Sequence, residues 1–320
     1  MGTDDKKAEI KSNLRFRIDF IQEVLGFDEK SGVFKIALIP DPNRYEWHTR
    51  DGKRCLYDKL DRILISEEVL IKMAPTLEGS PIYYQPPRIE RSEEYVQGRL
   101  TEIDKMLTGT LPVATFEDKS EEFLRSLECD KLGFVIISLD IVGSTKLVTE
   151  LPAEKYKKIV SVALYEFSTV VPKFHGHVLK YTGDGIIAYF PEPSFIIKND
   201  LALDCALTLR HLVYHGLNPS YKKHGLPQIE VRLGLDSGEA YIETIGNPAT
   251  KQHKDIIGAV VNIATKIQGT ASAGSVHLGL VTFQNLHTSW RIQCQNFPLP
   301  QNWQYKSQSG EPYAIYRYIG

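Results

Sequence analysis

Residues 133–140 read GFVIISLD, an unbroken apolar run that ends on a carboxylate. A run so short and so continuously apolar fits a buried strand, and it carries the acid, Asp140, out to the edge of whatever sheet it joins. The segments after it add a pattern. A helix is expected from about Pro152, a residue suited to a first helical turn, to Phe174. GHVLKY and GIIAYF then read as two strands joined by the tight turn TGDG. Another helix over about Phe195 to His215 precedes a strand at Ile229 to Leu235 and a second hairpin through DSGEAYIETI. A further helix spans about Ile256 to Gly269. The order β-α-β-β-α-β with a following helix is that of an α+β, ferredoxin-like (split βαβ) sheet, with its helices on one face.

The N-terminal part has a different character. Ile10, Leu14, Ile18, Ile21 and Leu25 recur at helical spacing from about Lys7 to Leu25, with Gly26 just beyond, so an amphipathic packing or dimerisation helix is expected. Short apolar runs at Val33 to Ile39 and Ile63 to Ile65, separated by turn-rich PDPNR and TRDGKR, complete a small α+β unit. Prolines around Pro81 to Pro87 lead into a charged helix from about Ser92 to Leu107, and GTLP breaks it. The reading is therefore a helix-plus-strands unit over 1–125, regulatory or dimerising, and a main domain over 126–320.

With 42% hydrophobic and 24% charged residues and a formal net charge of -2, the chain has the profile of an ordinary globular protein. It has no whole-protein charge argument for nucleic acid or an anionic membrane. Cys55, Cys129, Cys205 and Cys294 form no CxxC pair, so neither a disulfide framework nor a cysteine zinc site is expected. The opening residues MGTDDKKAEIK are charged, and no apolar stretch reaches the roughly 18 residues of a spanning helix. The expectation is a cytoplasmic protein with no membrane partner.

Asp140 opens DIVGST, and the backbone N–H groups of the following turn, at Gly143, Ser144 and Thr145, could cradle phosphate oxygens. A loop aspartate before a small-residue turn is more often turn chemistry than a metal ligand. What changes the balance is a second acid, Asp184, at the tip of the TGDG hairpin 44 positions later, with one helix between. Neighbouring strands bring the two together, and two carboxylates suit a pair of magnesium ions working on a triphosphate. There is no GxxxxGK[ST] loop and no GxGxxG fingerprint, so the phosphates would be held by metals instead.

FVIISLDIVGST, KYTGDGIIAYF, VRLGLDSGEAY and DIIGAVVNIATKI stand in one order and spacing, and by them the chain resembles the catalytic domain of class III nucleotidyl cyclases over roughly residues 130 to 320. The resemblance implies that Asp140, Asp184 and the Ile141 carbonyl hold two divalent cations, magnesium or manganese. It also implies a homodimer with shared active sites and a nucleoside triphosphate substrate. Asn262 would orient the ribose, and Lys266, four residues on along the same helix face, stands where the family has arginine. A lysine supplies charge there without a rigid bidentate fork. Lys306 lies where the family often places a phosphate-contacting lysine, and a solvated loop lysine is an equal reading.

The family's base-reading positions are Lys180, four before the second acid, and Asp255, seven before the asparagine. A lysine donor and a carboxylate acceptor describe adenine, yet cytosine also shows an amine beside ring acceptors, and a lysine can donate to uracil carbonyls. The organisation, one cyclase domain behind an unfamiliar N-terminal unit, is similar to the pyrimidine cyclases of bacterial anti-phage Pycsar systems. The expected activity is conversion of a nucleoside triphosphate to a 3′,5′-cyclic nucleotide, UTP or CTP being narrowly preferred and ATP the alternative. A catalytically degenerate nucleotide-binding regulator is the rival from another class.

Overall fold

The computed structural model describes residues 17–28, 33–73, 86–111, 119–127, 130–191 and 198–320. The chain separates into two units, Met1–Tyr83 and Tyr84–Gly320. In the first, strands β1 (Phe20–Asp28) and β2 (Val33–Pro40) pair antiparallel, with a bulge between Val24 and Gly26. Strands β3 (Tyr45–Arg50), β4 (Lys53–Asp58) and β5 (Ile63–Ser66) form a second antiparallel sheet, followed by helix α1 (Glu67–Met73). The helix expected over Lys7 to Leu25 is corrected here, because Phe20 to Leu25 are strand; residues 7–16 of that expectation lie outside the described residues. The apolar spacing of this stretch also satisfies a strand, and eight cross-strand partners in Val33–Pro40 decide the matter by a pairing that local periodicity does not contain.

Buried Arg44 ties this unit together. Its guanidinium bonds Asp19 at 2.9 Å, Asp58 at 2.8 Å and Asp61 at 3.1 Å. A buried guanidinium with several carboxylates is costly to break from one side, by about 3–5 kcal/mol.

The second unit opens with helices α2 (Ser92–Thr108) and α3 (Lys119–Ser126) and strand β6 (Lys131–Ile141). Helices α4 (Ser144–Glu150) and α5 (Ala153–Val170) lead to the hairpin β7 (His177–Tyr181) and β8 (Ile186–Pro191). Helix α6 (Lys198–Leu212) continues through a π turn into α7 (Asn218–Lys223). Then come β9 (Val231–Asn247), β10 (Lys251–Ile257), α8 (Ala259–Thr270), β11 (Val276–Gly279), α9 (Leu280–Asn285), α10 (Thr288–Arg291), β12 (Cys294–Phe297) and β13 (Ile315–Tyr318). The sheet order is β12-β13-β11-β9-β6-β8-β7, with β10 paired to β9.

The alternation of β6 explains its continuous apolarity. Val135, Ile137, Leu139 and Ile141 enter the core shared with α2, α5 and α6, while Phe134 and Ile136 pack with Leu124 of α3 and with Val260 and Ala264 of α8. Helices therefore cover both faces, where one was expected. The hairpin expected within DSGEAYIETI is also corrected. Those residues run straight through β9, because they pair with β6 on one side and β10 on the other, and the turn falls at Asn247–Thr250. Helix α2 belongs to this second unit: Val96, Ile103, Met106 and Leu107 are buried in its core, and Arg99 bonds the buried Glu166 of α5 at 2.6 and 3.1 Å. The division at Tyr83 thus differs from the one expected at residue 125.

Helix α8 lies unusually close on β9. A Cβ at Gly234 would stand 2.2 Å from the Gln268 nitrogen and 2.5 Å from the Ala264 oxygen, whereas one at Gly238 would meet Val260 at an ordinary 3.4 Å. Gly234→Ala is expected to cost about 3 kcal/mol or more by forcing α8 off the sheet, and Gly238→Ala less than about 1 kcal/mol. Chemical denaturation of the two variants checks this contrast.

Candidate active site

Register places the two acids. In β6 and β8, Leu139 faces Ile186, and one residue beyond that pair the hairpin tip closes with the Thr182 amide donating to the Gly185 carbonyl at 3.0 Å. Gly185 is pressed on the end of β6: a Cβ there would be 2.1 Å from the Leu139 carbonyl oxygen and 3.1 Å from the Asp140 Cα. Asp184, the neighbour of Gly185, is thereby brought to the strand end that carries Asp140.

The two carboxylates have different surroundings. Asp140 Oδ2 accepts from Arg232 Nη2 at 2.8 Å, Arg232 Nε at 3.2 Å and Gln268 Nε2 at 3.4 Å. Arg232 faces Asp140 directly across the β6–β9 ladder. Asp184 Oδ2 is buried and has no hydrogen-bond partner among the described residues. A buried acceptor left without a donor is costly, and a divalent cation is the partner that such an oxygen suits. Tyr156 of α5 stands near enough for the Asp184 charge to add to burial in raising its phenol above the usual range.

The donor set fits magnesium or manganese: hard carboxylate oxygens at two adjacent strand ends, with Ile141, whose side chain is buried, able to offer its backbone carbonyl. Among the described residues no three His, Cys, Asp or Glu side chains gather as a metal cluster, so the remaining ligands would come from backbone, water or substrate oxygens. Gly143, at a left-handed φ of 71°, turns the chain into α4 immediately behind Asp140. Ser144 and Thr145 open that helix, and first-turn N–H groups have no intrahelical acceptor.

Lys180 and Asp255 meet, with Nζ to Oδ2 at 2.6 Å, and the Ile256 amide donates to Asp255 Oδ1 at 2.8 Å. His253 Nε2 stands 3.8 Å from the same Oδ2. Asn262 and Lys266 are both exposed on α8. Gln268, two positions after Lys266, faces the sheet and reaches Asp140, so Lys266 projects to a different side of the helix. Within one chain, then, Asn262 and Lys266 turn away from the acid pair. Lys306 is exposed on a small hairpin, bridged to Pro312.

Arg232 and Tyr156 were not singled out by sequence reasoning. Arg232 becomes visible only once its strand is set opposite Asp140; nothing in the local sequence marks Tyr156.

The family model described as adenylate and guanylate cyclase catalytic domain matches residues 131–300. The chain belongs to that family. It is 26% identical over 193 residues to the cytidylate cyclase of Escherichia coli, covering 56% of this chain and 39% of that one. Among solved structures it is similar to the adenylyl cyclase CyaB from P. aeruginosa, with TM-score 0.53 and 24% identity over 61% of this chain and 97% of that one. It is likewise similar to the guanylyl cyclase Cya2, with TM-score 0.53 and 20% identity over 60% of this chain and 93% of that one. These structures share its fold. No helix among the described residues is long and apolar enough to cross a membrane.

Asp184→Asn is expected to leave the stability of the ligand-free protein within about 1 kcal/mol of wild type, because the amide keeps a polar atom at the same buried position. It should abolish stabilisation by added Mn2+. Thermal melts with and without Mn2+ check both outcomes.

Proposed function

We propose that this cyclase converts a nucleoside triphosphate to a 3′,5′-cyclic nucleotide and pyrophosphate at two equivalent sites between the subunits of a homodimer. The observation that carries this is the convergence of Asp140 and Asp184, one of them with a buried oxygen that has no donor among the described residues. Asp140, Asp184 and the Ile141 carbonyl would hold two Mg2+ or Mn2+ ions, which when bound would supply the acidity that a 3′-hydroxyl needs and the charge that offsets departing pyrophosphate.

The chain's own groups do the rest. The N–H groups of Gly143, Ser144 and Thr145 bind phosphate oxygens, and Arg232, released from Asp140, adds a cation beside the triphosphate. The partner subunit's Asn262 orients the ribose, and the partner subunit's Lys266 offsets charge that develops on the phosphoryl oxygens. Lys306 contacts the polyphosphate. The outward projection of Asn262 and Lys266 supports shared sites, since neither side chain points at the acids of its own chain. Exposed Tyr181, Tyr241 and Ile257 supply apolar surface for such a contact. The Met1–Tyr83 unit is assigned a regulatory or dimerising role.

Mixing Asp140→Ala with Asn262→Ala chains should restore up to one intact site per mixed dimer, measured as pyrophosphate release. No rescue from folded, paired chains would end the shared-site reading.

For the base, Lys180 and Asp255 separate to admit a ring bearing an amine beside an acceptor. Cytosine fits that pattern, and the similarity to a cytidylate cyclase supports a pyrimidine triphosphate, CTP first. The resulting cyclic pyrimidine nucleotide would serve as an anti-phage signal. Adenine fits the same pair, so ATP is the second reading. Incubation with each of the four triphosphates and Mn2+, with products identified by mass, should give cyclic CMP or cyclic UMP as the main product. Cyclic AMP alone would overturn the pyrimidine assignment, and no pyrophosphate from any of the four would point to a non-catalytic nucleotide binder.

A further inference from the structure

Asp236 lies in the middle of β9 and is 1% exposed. Its Oδ1 accepts the hydroxyl of Tyr313 at 2.6 Å, and that hydroxyl oxygen accepts the Val281 amide at 3.0 Å. A Cβ at Gly279 would come within 2.1 Å of Asp236 Oδ1, so the chain makes room for this carboxylate. Burial pushes the Asp236 carboxyl up to about 7, while the Tyr313 hydroxyl and the Ser237 amide act in the opposite direction. A position needed only for packing would be cheaper with an apolar side chain. What a carboxylate adds is a strong acceptor that fixes a phenol in one place.

Tyr313 is also the closing residue of the hairpin that carries Lys306. Its amide donates to the Tyr305 carbonyl at 2.9 Å, and its carbonyl accepts from Trp303 Nε1 at 2.8 Å. Trp303 and Tyr305 pack beside Ile263 and Ile267 of α8, the helix of Asn262 and Lys266. One phenol therefore joins β9, the start of α9 and a hairpin lying along α8. We propose that Asp236 and Tyr313 are a positioning pair that sets Lys306 relative to Asn262 and Lys266, and so fixes where this half of the site meets the triphosphate. The inference rests on the shared-site reading given above.

The test uses the full-length dimer. Tyr313→Phe removes one hydroxyl and should raise the KM for triphosphate about tenfold, with a smaller change in kcat. Asp236→Leu should match it, and the double variant should be no worse than either. Asp236→Asn keeps an acceptor for Tyr313 and should stay within about threefold of wild type. Mixed dimers separate positioning from general damage. Paired with Asp140→Ala, the Tyr313→Phe chain supplies metal ligands to the one working site and its partner supplies the half-site, so activity should equal that of an Asp140→Ala and wild-type pair. A mixed dimer that keeps the Tyr313→Phe defect overturns the proposal. If Asp140→Ala with Asn262→Ala shows no rescue, it is the shared-site reading that has failed. The KM comparison of Tyr313→Phe with Asp236→Asn then decides alone, and unchanged KM in Tyr313→Phe overturns positioning.

Discussion

Two carboxylates at neighbouring strand ends repel one another, and the sheet is built so that they cannot move apart. The close approach of Gly185 to Leu139 and Asp140 locks the hairpin tip against β6, and the register of β6 with β8 and β9 does not slip without turning every core side chain to the wrong face. Arg232 relieves part of the repulsion from the β9 side, while the Asp184 oxygen has no donor among the described residues. The fold thus holds negative charge in a place that suits a cation.

A second constraint follows from the first. Asp140 must sit at an open sheet end, yet the face beside it is partly covered by α8, which touches the backbone at Gly234 and extends Gln268 to Asp140. The helix is held near enough to influence the acid and is rotated so that Asn262 and Lys266 look outward. Asp236 and Tyr313 anchor the other side of the same helix through the cluster around Ile267.

Much of this was legible in the residues. The GFVIISLD strand, the TGDG turn and the helix bearing Asn262 and Lys266 are marked by local patterns: apolar continuity, turn-forming residues and helical spacing. What local pattern does not contain is pairing. The strand at Phe20 reads as helix because its pairing with Val33–Pro40 is not contained in its own spacing, and β9 reads as two pieces because Asp236, Ser237 and Gly238 look like a turn until their pairing with β6 is known. Arg232 escapes for the same reason, and the packing of α2 on α5 is only half visible: Val96, Ile103, Met106 and Leu107 mark a buried stripe without saying what covers it.

The contact between Lys180 and Asp255 has a bearing on selectivity. Both Asp255 oxygens are already engaged, so a ring that bound here on the proposed reading would have to part an existing ion pair. A ring that offers both a donor and an acceptor replaces what it disrupts. One that offered a single match would leave a charged, partly buried group without its partner, and such imbalance discriminates more sharply than any gain from added contact. If Lys180 and Asp255 read the base as proposed, the resting pair would act as a threshold that turns away poorly matched rings.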